Sequence, residues 1–206
     1  MAQLMEKDRL TAFTDAVLAI IMTILILELK KPEETTFKAI WELKENYFCY
    51  TLSFFWLGIM WVNLHYEWNE INKINQTVVW WSLILLFFSS WIPYSIDFVN
   101  DDPNSKVTQS FYGVCVLLVT FANIFLSISV QNIKEHKDKD NLVETIKARR
   151  KKLYPDIAIK IIGLIICLTV FPMAMAFSVF ITMIWMVIPL GTKPKAKLED
   201  TAEDIV

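Results

Sequence analysis

Long apolar runs separated by short clusters of charge set the first expectation. From Leu10 the chain stays apolar as far as Leu29, where Glu28, Lys30, Lys31 and Pro32 end the run. Similar runs follow at about 47–68, rich in aromatic residues, at about 77–97, interrupted near its end by Pro93, and at about 107–131. Each suffices to cross a hydrocarbon core of ~30 Å as a helix, which takes about 20 residues. Only helices and closed barrels satisfy every backbone group in lipid, and the roughly ten-residue alternating segments of barrel strands are absent. The polar stretch Asn132–Asp156 cannot span a bilayer; at most it forms an amphipathic helix around Leu142–Leu153. One helix over 157–190 would be about 51 Å long, too long even for a tilted span. Pro172 is the natural break that divides it into two short helices.

The expected architecture is an all-α polytopic membrane protein. Six transmembrane helices, at about 10–29, 47–68, 77–97, 107–131, 157–172 and 174–190, form one domain over 1–190. The mixed-charge tail, 191–206, reads as disordered and cytoplasmic.

Charge adds orientation. With six spans, fifteen of the 20 Lys and Arg fall on one side, and five (Lys30, Lys31, Lys38, Lys44 and Lys106) on the other. The positive-inside rule then puts both termini in the cytoplasm of a multi-pass cell-membrane protein. The run Lys147, Arg149, Arg150, Lys151, Lys152 contributes most to this bias and reads as a topology determinant beside anionic headgroups of the membrane lipids. A net charge of −2 gives no footing for nucleic acid. Lys7 and Arg9 ahead of an apolar stretch look like a signal peptide, but Asp15 interrupts it and no small-residue cleavage site follows, so the helix is expected to be retained. Cys49, Cys115 and Cys167 are widely spaced in apolar surroundings and read as packed thiols.

Ionisable and polar groups at membrane depth are the candidates for function. Arg9 and Asp15 stand near the inner end of the first helix, about 9 Å apart along its axis, so each needs a partner on another helix. Trp61, Asn63 and His65 lie toward the same membrane face on the second helix, within reach of a network whose plain alternative is helix packing alone. His65 has no second ligand at metal spacing, so no structural metal is expected. Ala16, Ile20, Thr23, Leu27 and Lys30 recur at 4-3-4-3 spacing and share a face. Around a symmetry axis that face would become stacked rings. The four glycines, Gly58, Gly113, Gly163 and Gly191, build no loop for a filter of backbone carbonyls. If ions pass, side chains must form the constriction. Ile20 and Leu27 would be the hydrophobic gate and Thr23 the source of hydroxyl oxygens, with Glu28 and Lys30 at the mouth. A proton-coupled secondary transporter using Asp15 and His65 is the alternative. An enzyme ranks last, because no nucleophile elbow, zinc-protease motif or catalytic Asp pair is present.

The first hundred residues also carry a resemblance. Arg9-Leu10-Thr11-Ala12-Phe13-Thr14-Asp15 resembles the Arg-x-x-x-Phe-Ser/Thr-Asp signature of the transmembrane protein 175 family, and the likeness continues through Ala19, Ile20, Thr23, Leu27, Glu28 and Pro32. Ser53-Phe54, Trp61-x-Asn63-x-His65 and Pro93-Tyr94 extend it. The resemblance implies a potassium-selective cation channel that assembles as a homotetramer, with the first helix lining the pore at the symmetry axis. It implies Ile20, Thr23 and Leu27 as the pore-facing constriction, with permeant potassium, and possible other monovalent cations, passing near Thr23 and no cofactor. Arg9, Phe13, Thr14, Asp15, Trp61, Asn63 and His65 would be the structural polar network behind it.

Overall fold

The computed structural model describes residues 5–69, 71–133 and 139–187. Helix α1, Asp8–Ile24, tightens into a 3-10 turn over Leu25–Glu28. Then come the short α2, Phe37–Glu42, and the long α3, Lys44–Asn69. Helices α4, Gln76–Ser89, and α5, Trp91–Asp101, lie in sequence before α6, Lys106–Gln131. The last two are α7, Lys139–Thr169, and α8, Ala174–Val187. A two-residue antiparallel bridge, β1 Met5–Glu6 with β2 Lys73–Ile74, ties the chain ahead of α1 to the link between α3 and α4.

Local chemistry explains the boundaries. Thr36, Asn75 and Ser105 cap α2, α4 and α6, their side-chain oxygens accepting from the backbone N–H of Ala39, Val78 and Val107. Pro93 sits in the first turn of α5, where a missing N–H costs nothing, and its ring disfavours continuing straight from α4, so the helix breaks at Ser90. The chain turns between α7 and α8 around Pro172.

Among the described residues, four segments are long and apolar enough to cross a membrane: Asp8–Glu28, Lys44–Asn69, Gln76–Asp101 and Lys106–Gln131. Of the two short spans expected after them, 157–172 falls in the second half of α7, and 174–190 begins with α8, a shorter apolar helix. Residues 188–190 and the tail 191–206 lie outside the described residues. Many large apolar side chains are exposed around the bundle, among them Phe55, Trp80, Phe87, Ile162 and Ile165. That surface suits a hydrocarbon solvent, where such exposure is not a cost.

Helices pack closely where side chains are small. A Cβ at Gly163 would fall 2.4 Å from the Ser178 side chain, so α7 and α8 touch backbone to side chain and form a tight hairpin. Gly113 on α6 likewise admits Met175, with a would-be Cβ 2.8 Å from its sulfur.

The interior holds one ion pair that the sequence pattern left unread. Asp156 and Lys160, one turn apart on α7, are both fully enclosed. Lys160 Nζ donates to Asp156 Oδ2 at 2.9 Å and to Thr120 Oγ1 of α6 at 2.9 Å, and lies 5.1 Å from the ring centroid of Trp56 on α3. Asp156 Oδ1, 2.8 Å from the ammonium, makes a charge contact without hydrogen-bond alignment. A cavity of about 20 Å³ beside the pair, lined also by Asn63 and Asn123, has room for about one water. Removing one partner strands a buried charge, so Asp156→Asn or Lys160→Met alone should cost about 3–5 kcal/mol. The double replacement Asp156→Leu/Lys160→Met should recover most of it. Thermal midpoints of the detergent-solubilised protein test this; equal losses in the single and double variants would refute it.

Candidate functional site

Helix α1 has two unlike faces. Thr14, Leu18, Ile21 and Leu25 follow a 4-3-4 spacing and are buried against the rest of the chain. Ala16, Ile20, Thr23 and Leu27 lie on the opposite side and are exposed, Ile20 at 58% and Leu27 at 78%. The stripe singled out by spacing is therefore the side of α1 that its own chain leaves uncovered. Thr23 Oγ1 donates to the Ile20 carbonyl at 2.9 Å, which occupies its proton and leaves the oxygen lone pairs available on that open face.

Polar bonds hold α1 near its N-terminal end. Trp61 Nε1 of α3 donates to Asp15 Oδ1 at 2.7 Å. The Trp61 ring lies against His65, with centroids 5.8 Å apart, and His65 meets Tyr66 edge-on. Lys7 Nζ donates to the Trp68 carbonyl near the end of α3. The structure thus brings Asp15, Trp61 and His65 together, with the indole between the carboxylate and the imidazole. Thr14, at 1% exposure, turns its hydroxyl to the Leu10 carbonyl, 2.8 Å away, within its own helix. Phe13 is half exposed, and Arg9 is exposed and, among the described residues, joins none of these bonds. Asn63 faces elsewhere, lining the cavity beside Asp156 and Lys160.

The C-terminal end of α1 is fastened differently. Glu28 closes the 3-10 turn, and its carbonyl accepts from Asn100 Nδ2 of α5 at 2.6 Å. Asn46 Nδ2 of α3 donates to the carbonyl and to Oδ1 of Asn100, both at 3.0 Å. Lys30 Nζ pairs with Asp101 Oδ1 at 2.7 Å. Sequence reasoning found Glu28 and Lys30 but passed over Asn46 and Asn100. Their signal was faint: uncharged polar residues close to span ends look like ordinary solvated groups.

Long apolar helices, tight helix crossings and polar bonds between helices define a multi-pass helical membrane protein. Residues 9–93 match the family described as endosomal/lysosomal potassium channel TMEM175. A potassium channel of Chryseobacterium sp. (strain P1-3) is 29% identical over 183 residues, covering 89% of this chain and 94% of the relative. A potassium channel of Streptomyces collinus is 27% identical over 125 residues, 57% of this chain and 61% of that one. The crystal structure of a lysosomal potassium-selective channel TMEM175 homolog from Chamaesiphon minutus shares the fold, with a TM-score of 0.74 over 86% of this chain and 94% of that one at 19% identity. The chain is thus similar to the TMEM175 family over residues 9–93. The first relative aligns well past residue 93, so the likeness reaches beyond the motifs of the first hundred residues.

Trp61→Phe keeps a ring against His65 but removes the only donor that Asp15 has among the described residues. It should lower stability by about 1–3 kcal/mol, the usual range for stranding a polar group. The double variant Asp15→Ala/Trp61→Phe should lose little more than the worse single variant. Additive losses in thermal unfolding would show that the two residues act separately.

Proposed function

We propose that the protein is a potassium-selective cation channel of the cell membrane, built as a homotetramer of six-helix subunits over residues 1–190, with both termini cytoplasmic. Helix α1 lines the pore, and Ile20, Thr23 and Leu27 form its constriction. The observation that carries this reading is the two-sidedness of α1: one face is packed and bonded to its own chain, and the opposite face, a regular Ala-Ile-Thr-Leu stripe, is left open. Around a fourfold axis the open faces close on each other.

The side chains suit the task. Rings of Ile20 and Leu27 exclude water when narrow, and a small rotation of the helices widens and wets them. The Thr23 ring offers oxygen lone pairs to an ion that has shed part of its hydration, because each hydroxyl proton is already given to the Ile20 carbonyl. Gly58, Gly113 and Gly163 lie within helices, at crossings or facing a neighbouring side chain, which supports a pore without a carbonyl filter. Glu28 at the mouth, with Asp97, Asp101 and Asp102 on the same side, raises the local concentration of cations. The names of the relatives as potassium channels point the same way. A proton-coupled transporter working through Asp15 and His65 gains less support, because Asp15 is bonded to Trp61 and the indole separates it from the imidazole.

Reconstitution into liposomes tests the reading. Wild-type protein is expected to carry potassium current. Thr23→Val should lower the potassium-to-sodium permeability ratio, and Leu27→Ala should raise potassium flux by about tenfold, the equivalent of about 1.4 kcal/mol at the gate. Both variants should retain the oligomer mass of the wild type. Absence of flux from intact oligomer, or flux indifferent to both substitutions, would overturn the assignment.

A further inference from the structure

We infer that Asn100, oriented by Asn46, is a positioning residue that sets the rotation and outer width of the pore helix; the inference rests on the pore reading of α1. A helix end leaves its last carbonyls without intrahelical donors, so each needs a partner from elsewhere. Here the Glu28 carbonyl is served by a side chain from another helix, Asn100 Nδ2 at 2.6 Å. Asn100 is 3% exposed and Asn46 4%, so the Asn46–Asn100 bonds are buried, and the bond to the Glu28 carbonyl is partly buried.

The amide has one workable orientation. Asn46 Nδ2 donates to both Oδ1 and the backbone carbonyl of Asn100, so Oδ1 faces α3 and Nδ2 is left to face Glu28. A flipped amide would set two donors against each other on one side and two oxygens on the other. The relay therefore runs from α3 through α5 to the last turn of α1, with Asn46 orienting the amide that holds Glu28.

Nothing else at that end fixes the helix as firmly. The Lys30–Asp101 pair is 43% and 66% exposed, and exposed pairs contribute little. Between Asp15 and Glu28, α1 meets its neighbours through Val17, Leu18, Ile21, Met22 and Leu25, and apolar contacts resist rolling weakly because they have no preferred direction. Leu27 is the residue before Glu28, so any roll released at the Glu28 carbonyl moves the outermost apolar ring of the constriction. The 3-10 turn that presents Leu27 is the segment the amide holds.

The three native cysteines are buried, so a thiol placed at Leu27 can be followed in the full-length protein. Leu27→Cys is treated with a water-soluble methanethiosulfonate reagent in liposomes, alone and combined with Asn100→Ala or Asn46→Ala, while potassium flux is recorded in parallel. Asn100→Ala should change the modification rate at position 27 by about fivefold or more, the factor that corresponds to loss of one buried hydrogen bond, and shift the potassium flux with it. Asn46→Ala leaves the Asn100–Glu28 bond in place but unguided, so it should move both in the same direction by less. Asn100→Leu keeps the volume and removes the donor to Glu28 together with the side-chain acceptor for Asn46; it should act like Asn100→Ala, and it replaces that variant if Asn100→Ala does not fold. Unchanged rate and flux in folded variants, or a lowered thermal midpoint with neither moved, would overturn the positioning role. Absence of potassium flux in the Leu27→Cys parent and wild type would instead sink the pore reading, while the modification rates still report whether the helix end had moved.

Discussion

In hydrocarbon, an apolar side chain is about as well placed against lipid as against another helix, so burial alone does not decide which way a membrane helix faces. Directional bonds and close backbone contact must do so. This constraint organises the whole chain. Helix α1 is held by a bond from Trp61 to Asp15 near one end and by one from Asn100 to the Glu28 carbonyl at the other. Between them it rests on α3 near Gly58, where a Cβ would still have 3.5 Å to Met22. With its rotation set in this way, the Ile20, Thr23 and Leu27 side is presented outward without any contact of its own.

The same constraint accounts for the far side of the bundle. Helices α7 and α8 are joined through a tight turn and approach so closely at Gly163 and Ser178 that a methyl group has no room. Beside them, an ammonium and a carboxylate are withdrawn from all solvent between α3, α6 and α7. A pair of this kind contributes less to net stability than to alignment. Any other register of α7 would take the buried ammonium away from the Thr120 hydroxyl and the Trp56 ring, leaving the pair with fewer partners in the interior.

Much of this was legible in the sequence, and the reason differs from residue to residue. The first four helices were readable because uninterrupted apolar length has few other meanings. The open stripe of α1 was readable because its 4-3-4 rhythm survives whichever surface covers it. The meeting of Asp15 with Trp61 followed from both lying near one membrane face. Asp156 and Lys160 were hidden by composition: they stand at the edge of a basic, polar stretch, where charges ordinarily face water. Asn46 and Asn100 lie 54 positions apart, and nothing local to either announces the other. Which face of a helix a distant amide will meet is set by tertiary packing, and one sequence does not record that.

The small bridge between Met5–Glu6 and Lys73–Ile74 carries a consequence of another kind. It joins the foot of α1 to the link between α3 and α4 through main-chain pairing, so it depends on the backbone far more than on the side chains. Such a seam rejects proline where the ladder needs a donor, and Ile74, which is buried in the core, is also held by side-chain packing. A mechanical connection of this sort rests on backbone geometry more than on residue identity, so it leaves little fingerprint for motif reading to find.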